Sequence, residues 1–193
     1  IQSIKTCKEN LPNIDGQINK STLLGTGGIG IVFSAAQPNL ERTVAIKQLR
    51  ADPSFGNYAQ LLEHEAKITG RLEHPNILPV YMYGQIDNQA TMVMKRLEGE
   101  TWSKYLEKNP CTQSLSELIA AISIIQEVGK AVAYSHSYKI IHRDIKPENI
   151  HLGRHGEVFL LDWGLAIQLG KESIFPESAL VGTPAYMPPE MAN

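Results

Sequence analysis

From Leu23 to Leu49 the chain is rich in β-branched residues and interrupted by glycines (LLGTGGIGIVFSAAQPNLERTVAIKQL). This predicts a strand pair joined at the glycines, then a third strand after a turn at Gln37 to Leu40. The period then changes. Over residues 58–74 helix formers carry Leu61, Leu62, Ala66, Ile68 and Leu72 at helical spacing, predicting a helix that stops before His74-Pro75-Asn76. Two further strands are expected in ILPVYMYGQID and QATMVMKRLEG. From Leu115 to Tyr138 one long helix is predicted, with Leu118, Ile122, Ile125, Val128 and Val132 recurring every three or four positions. The pattern therefore predicts an α+β chain in two lobes. Residues 1–97 are strand-rich with one helix, and residues 98–193 are led by helix.

Composition narrows the class. The chain has 193 residues, 42% hydrophobic and 20% charged, which suits a globular protein rather than a disordered one. With 18 basic and 20 acidic side chains, the net charge of −2 gives no footprint for nucleic acid. Cys7 and Cys111 form no CxxC pair, so both are expected as plain thiols in a reducing, cytoplasmic setting. The first residues lack the apolar core of a signal peptide, and no run reaches membrane-spanning length. The chain starts with Ile and stops at PPEMAN, so both ends read as cut.

Three stretches carry chemistry. In GTGGIGIV, Gly25, Gly27 and Gly30 form G-x-G-x-x-G followed by Val32, a pattern that lets backbone N–H groups approach phosphate oxygens. A dinucleotide-binding turn would need a helix after the last glycine, whereas IVFSAA reads as strand. In VAIK, Lys47 stands in an apolar strand and needs either an anionic partner or an exit to solvent; Glu63 and Glu65 lie downstream. In IIHRDIKPENIHLG, Pro147 argues against helix, so Asp144, Lys146, Glu148 and Asn149 are expected on a loop.

Taken together with DWG at Asp162–Gly164 and the closing GTPAYMPPE, the set resembles the eukaryotic-type protein Ser/Thr kinase family, in the family's order and over nearly the whole chain. The resemblance implies a two-lobe kinase fold with an antiparallel N-lobe sheet plus one helix, and a C-lobe that is helical and incomplete here. It implies ATP and Mg²⁺ as cofactors, a protein substrate carrying Ser or Thr, and no membrane segment within the chain. Gly25, Gly27, Gly30, Val32, Ala45, Met94, Lys95, Leu97 and His151 would surround the nucleotide. Met94 would stand at the back of the adenine pocket and Lys95 to Leu97 would form the connector. Lys47 would hold the α- and β-phosphates and pair with Glu65. Asp144 would orient the substrate hydroxyl, Lys146 would contact the γ-phosphate, and Asn149 and Asp162 would bind the metal. Arg143 resembles the arginine of kinases activated by phosphorylation, with Ser173 and Ser178 as candidate sites. Thr183 would shape the substrate site beside Asp144, and Glu190 would need an arginine beyond this chain. Rivals are a nucleotide-binding module without catalysis and a small-molecule phosphotransferase.

The chain departs from that family in places. Trp163 replaces the usual Phe of the metal motif, and Thr69 stands where a larger apolar residue is common. The pair reads as a volume-conserving exchange in which the Trp163 indole N–H bonds to the Thr69 hydroxyl, in a column with His142 and Val80. His151 replaces an aliphatic residue beneath the adenine, and Pro188 an alanine. His64, His74, His136 and His155 show no metal-ligand spacing.

Overall fold

The computed structural model describes residues 11–26, 30–49, 58–109, 114–175 and 181–189. Gly27, Ser178, Glu190, Cys7 and Cys111 lie outside the described residues. Two units divide the chain, one of Ile1–Glu63 and Val80–Arg96, the other of His64–Pro79 and Leu97–Asn193.

The first unit is built on an antiparallel sheet of five strands. These are β1 (Asn19–Thr26), β2 (Gly30–Gln37), β3 (Arg42–Leu49), β4 (Val80–Ile86) and β5 (Gln89–Lys95), in the order β1-β2-β3-β5-β4. The predicted turn at Gln37 to Leu40 is a single 3₁₀ turn over Pro38–Leu40, where the proline fixes φ at the start. β4 and β5 meet through Asp87 and Asn88, both at positive φ (52° and 60°), the backbone that a two-residue hairpin demands and that Asp and Asn tolerate. The core lies on one face: Ala35, Val44, Ile46 and Val93, joined by Ile86 and by Ile14 and Ile18 from the preceding segment. That segment is tied on by backbone bonds from Ile14 N–H to Gln85 O (3.0 Å) and from Gln85 N–H to Pro12 O (2.9 Å).

The second unit gathers helices around short strands. α1 (Tyr58–Thr69) passes from one unit into the other, and its C-terminal end contributes Ile68 to the second core. The helix stops at Thr69 rather than running on to His74, because Gly70 follows; Arg71 and Leu72 then make tighter i→i−3 bonds to Ile68 and Thr69. Residues 64–79 belong with this unit through Ile77, which bridges Leu160, and Asn76, whose amide donates to Val158 O at 2.9 Å.

β6 (Gly99–Thr101) leads into α2 (Trp102–Lys108), a short helix without a clear sequence signal, capped by Thr101. α3 (Leu115–Ser137) is capped by the Ser114 hydroxyl, which accepts the Glu117 N–H at 3.2 Å. Its apolar stripe is only half used. Val128, Ala131 and Ser135 are buried, but Leu118, Ile122 and Ile125 are 56%, 46% and 57% exposed. Among the described residues α3 is the one helix long and apolar enough to cross a membrane by length and composition. Its second half packs with Ile77, Ile140 and Leu160.

The remaining strands are β7 (Ile140–Ile141), β8 (Ile150–Gly153), β9 (Val158–Leu160) and β10 (Ile167–Gln168). β8 pairs with both β6 and β9, and β7 pairs with β10.

Candidate active site

In the first unit the pleat sorts the candidate residues. Val32 pairs across the strands with Lys47, and Lys47 with Met92; Ser34 pairs with Ala45, and Ala45 with Met94. Side chains alternate along a strand, so these residues share the face opposite Phe33, Ala35, Val44, Ile46 and Val93. Val32, Ala45, Lys47 and Met94 are thus brought onto one face, away from the unit's own core. Gly25 lies in β1 opposite Val32, and Lys95 closes β5 opposite Val44. Leu97, half-buried, is where the chain returns to the second unit. Gly30 earns its place by close approach: a Cβ there would stand 3.0 Å from Gln48 O and 3.4 Å from Lys47 Cε, so its absence leaves the lysine side chain room.

In the second unit two loops are laced together. β7 precedes the first loop and β10 follows the second, with Ile141 opposite Ile167. β8 begins after Asn149 and β9 ends before Leu161, with Ile150 opposite Leu160. Asn149 and Asp162 therefore emerge at the same end of one hairpin. Leu161 N–H donates to Asn149 O at 2.8 Å, and His142 Nε2 donates to Leu161 O at 2.9 Å. The other ring nitrogen, Nδ1, accepts the Asp144 N–H at 3.2 Å. One donor and one acceptor make this a neutral imidazole. Burial pushes its pKa down, outweighing the Leu161 carbonyl and the charges of Asp162 and Asp144, which push it up.

Asp144 and its partners form a tight polar cluster. The Thr183 hydroxyl donates to Asp144 Oδ1 at 2.6 Å, Lys146 Nζ lies 2.8 Å from Asp144 Oδ2, and Lys146 also donates to Thr183 Oγ1 at 2.6 Å. The Asn149 amide donates to Asp144 O (2.8 Å) and Oδ2 (3.0 Å). Burial pushes the Asp144 carboxyl up, but the hydrogen bonds and charge of Lys146, with Thr183 and Asn149, carry it below the usual carboxylate range. The Asn149 NH₂ being used on Asp144, its amide oxygen is the atom left for a cation. With the Asp162 carboxylate it makes a hard oxygen donor set, which fits a small divalent ion. Asp162 sits at φ 60°, ψ 70°, and its Oδ1 lies 3.3 Å from where a Gly164 Cβ would stand; Glu65 Oε2 lies 3.6 Å from the same point. Glu65 and Asp162 thus direct their carboxylates toward the same space beside Gly164.

Trp163 corrects the sequence expectation. It is fully buried and packs edge-on to His142 (centroids 4.6 Å, 62°), but its indole N–H donates to Leu160 O at 3.3 Å. The Thr69 hydroxyl is buried without a hydrogen-bond partner among the described residues. The 3₁₀ turn over Trp163–Leu165 folds the indole back toward the end of β9, which removes the need for a side-chain acceptor. His151 lies in β8 between Thr101 and Phe159, half-buried, with Nε2 3.4 Å from Glu98 O.

Two contributors escaped the sequence reading. Gly182 has φ of +133°, and a Cβ there would stand 2.7 Å from Arg143 O, so glycine is required to bring Thr183 to Asp144. The adjoining Thr-Pro was the available signal. His64, which has no metal-ligand spacing, is a structural tie: Nε2 donates to Ala166 O at 2.7 Å.

The sequence that builds this sheet face and these loops has relatives among known proteins. The chain belongs to the protein kinase domain family, which matches residues 18–193. Among its relatives, the serine/threonine-protein kinase PknD of Protochlamydia amoebophila is 38% identical over 210 residues, covering 91% of this chain and 20% of that protein. PknH of Mycobacterium tuberculosis is 34% identical over 180 residues (91% of this chain, 28% of that protein). PrkC of Bacillus subtilis is 33% identical over 181 residues (93% and 27%). The chain thus spans between a fifth and a third of the length of these relatives.

Proposed function

We propose that this chain forms the nucleotide-binding and hydroxyl-orienting parts of a Ser/Thr protein kinase that transfers the γ-phosphate of ATP to protein Ser or Thr hydroxyls with Mg²⁺. The Asp144–Lys146–Thr183 cluster carries this reading. A carboxylate held this firmly is a weak base, suited to accepting a hydrogen bond from an incoming hydroxyl and taking its proton only late. Lys146, already beside Asp144, supplies positive charge where a transferred phosphoryl would pass. On the sheet face Lys47 would hold the α- and β-phosphates, while Gly25 and Gly30 would let backbone N–H groups approach them. Val32, Ala45, Met94 and Lys95 would contribute the first unit's side of the base site. A divalent cation held by Asn149 and Asp162 would neutralise phosphate charge. Such catalysis is largely positioning and charge compensation, which rigid, hydrogen-bonded loops provide. We assign the domain to the cytoplasm, where ATP is available, and regulatory phosphorylation to Ser173 or Ser178.

The test uses the full-length protein with labelled ATP and a mixed peptide library, beside Asp144→Asn. Label on Ser and Thr that falls at least about 100-fold in the variant is the expected result. Nucleotide binding with no transfer in either protein would replace this reading with a non-catalytic module, and label on a small molecule alone would replace it with a small-molecule phosphotransferase.

A further inference from the structure

Phe175 stands half-buried between two basic side chains. The Arg143 guanidinium carbon lies 4.8 Å from its ring centroid, and the His64 ring stands edge-on to it at 6.0 Å and 87°. Both partners are already anchored in the turn that follows Asp162. Arg143 Nε donates to Leu165 O at 2.7 Å, and His64 Nε2 to Ala166 O at 2.7 Å. Those bonds tie the two side chains to consecutive carbonyls, and the Phe175 ring touches both. The Ser173 hydroxyl accepts the Phe175 N–H at 3.1 Å, a local turn that directs the ring inward.

We propose that Phe175 is a positioning residue: an aromatic clasp that fastens residues 165–175 to α1 and to Arg143 without any phosphate. The argument runs through the backbone. Arg143 sits at φ +70°, a conformation unfavourable for a non-glycine residue, and persists there only because its surroundings hold it. Its neighbour Asp144 receives the hydroxyl in the reading above, on which this inference rests. Arg143 is held at Nε by Leu165 O, while its Nη2 is buried with no hydrogen-bond partner among the described residues. A ring beside the guanidinium adds cation–π attraction at a partly desolvated site. The His64 contact then joins the same ring to α1, the helix that carries Glu65. Loosening the clasp frees the segment after β10 and lets Arg143 relax, which moves Asp144.

Hydrogen exchange on the dephosphorylated full-length protein tests this without nucleotide or peptide, so its failure is separable from failure of the kinase reading. Phe175→Leu keeps apolar bulk but removes the ring's charge distribution; Phe175→Tyr keeps both. The expected result is exchange about three- to tenfold faster in peptides covering residues 165–175 for Leu, with Tyr matching the wild type and all three proteins melting together. Equal exchange in Leu and wild type, or equally fast exchange in Leu and Tyr, overturns the clasp. Should the Leu protein not fold, Tyr against His64→Leu decides: wild-type exchange in Tyr with faster exchange in His64→Leu supports it, and any other pairing overturns it.

Discussion

The two units present their candidate residues by different means. In the first, Val32, Ala45, Lys47 and Met94 reach one face because a regular ladder puts alternate side chains there. In the second, Asp144, Lys146, Asn149 and Asp162 stand on irregular backbone held by side-chain hydrogen bonds, with two residues, Arg143 and Asp162, at positive φ. A ladder distributes its support over many equivalent bonds. A laced loop depends on a few unique ones. Single changes should therefore act more sharply in the second unit, and each experiment below bears on that contrast.

The largest effect is expected for Gly182→Ala. The added Cβ meets Arg143 O and the backbone adopts a conformation that alanine resists, so Thr183 leaves Asp144. Phosphoryl transfer should fall about 100-fold, with a stability loss of about 1–3 kcal/mol. Steady-state kinetics beside a urea melt checks both, and a near-normal rate would put loop and sheet on equal terms. Next is Trp163→Phe, which removes the bond to Leu160 O and leaves a void in the core formed with Ile68, Leu72 and Ala166. About 2 kcal/mol should be lost in a denaturant melt. On the sheet, Gly30→Ala crowds Gln48 O and the Lys47 side chain. The prediction is nucleotide affinity weakened about tenfold by calorimetry, with stability changed by less than about 1 kcal/mol. Thr69→Val is the smallest. It replaces a buried hydroxyl that has no partner among the described residues by a methyl group, and the unfolding free energy from a denaturant melt should hold or rise, by up to about 1 kcal/mol. A clear loss there would mean that the hydroxyl has a partner in solution.

What was legible in the sequence follows the same division. β-branched runs and glycine breaks announced the first three strands, because pleat and turn each have a local residue preference. The loop at Asp144 was recognisable from Pro147 and its density of polar residues. The partner of the Trp163 N–H was not, since it depends on a 3₁₀ turn that brings the indole over its own preceding strand. α2 escaped because seven residues offer scarcely two turns of periodicity. On α3 the apolar spacing identifies a helix and its face, and only the tertiary neighbours decide whether that face is covered, as Val128 is and Ile122 is not.

The exchange of Phe for Trp beside Asp162 also has an optical consequence. The chain holds two tryptophans, Trp102 half-exposed in α2 and Trp163 sealed against the His142 imidazole. The buried indole therefore emits from a dry, fixed environment one residue from the carboxylate assigned to the cation, while the other emits from near water. The protein carries its own dye at the turn proposed to hold the cation, and the blue side of its fluorescence spectrum reports on that turn without any label.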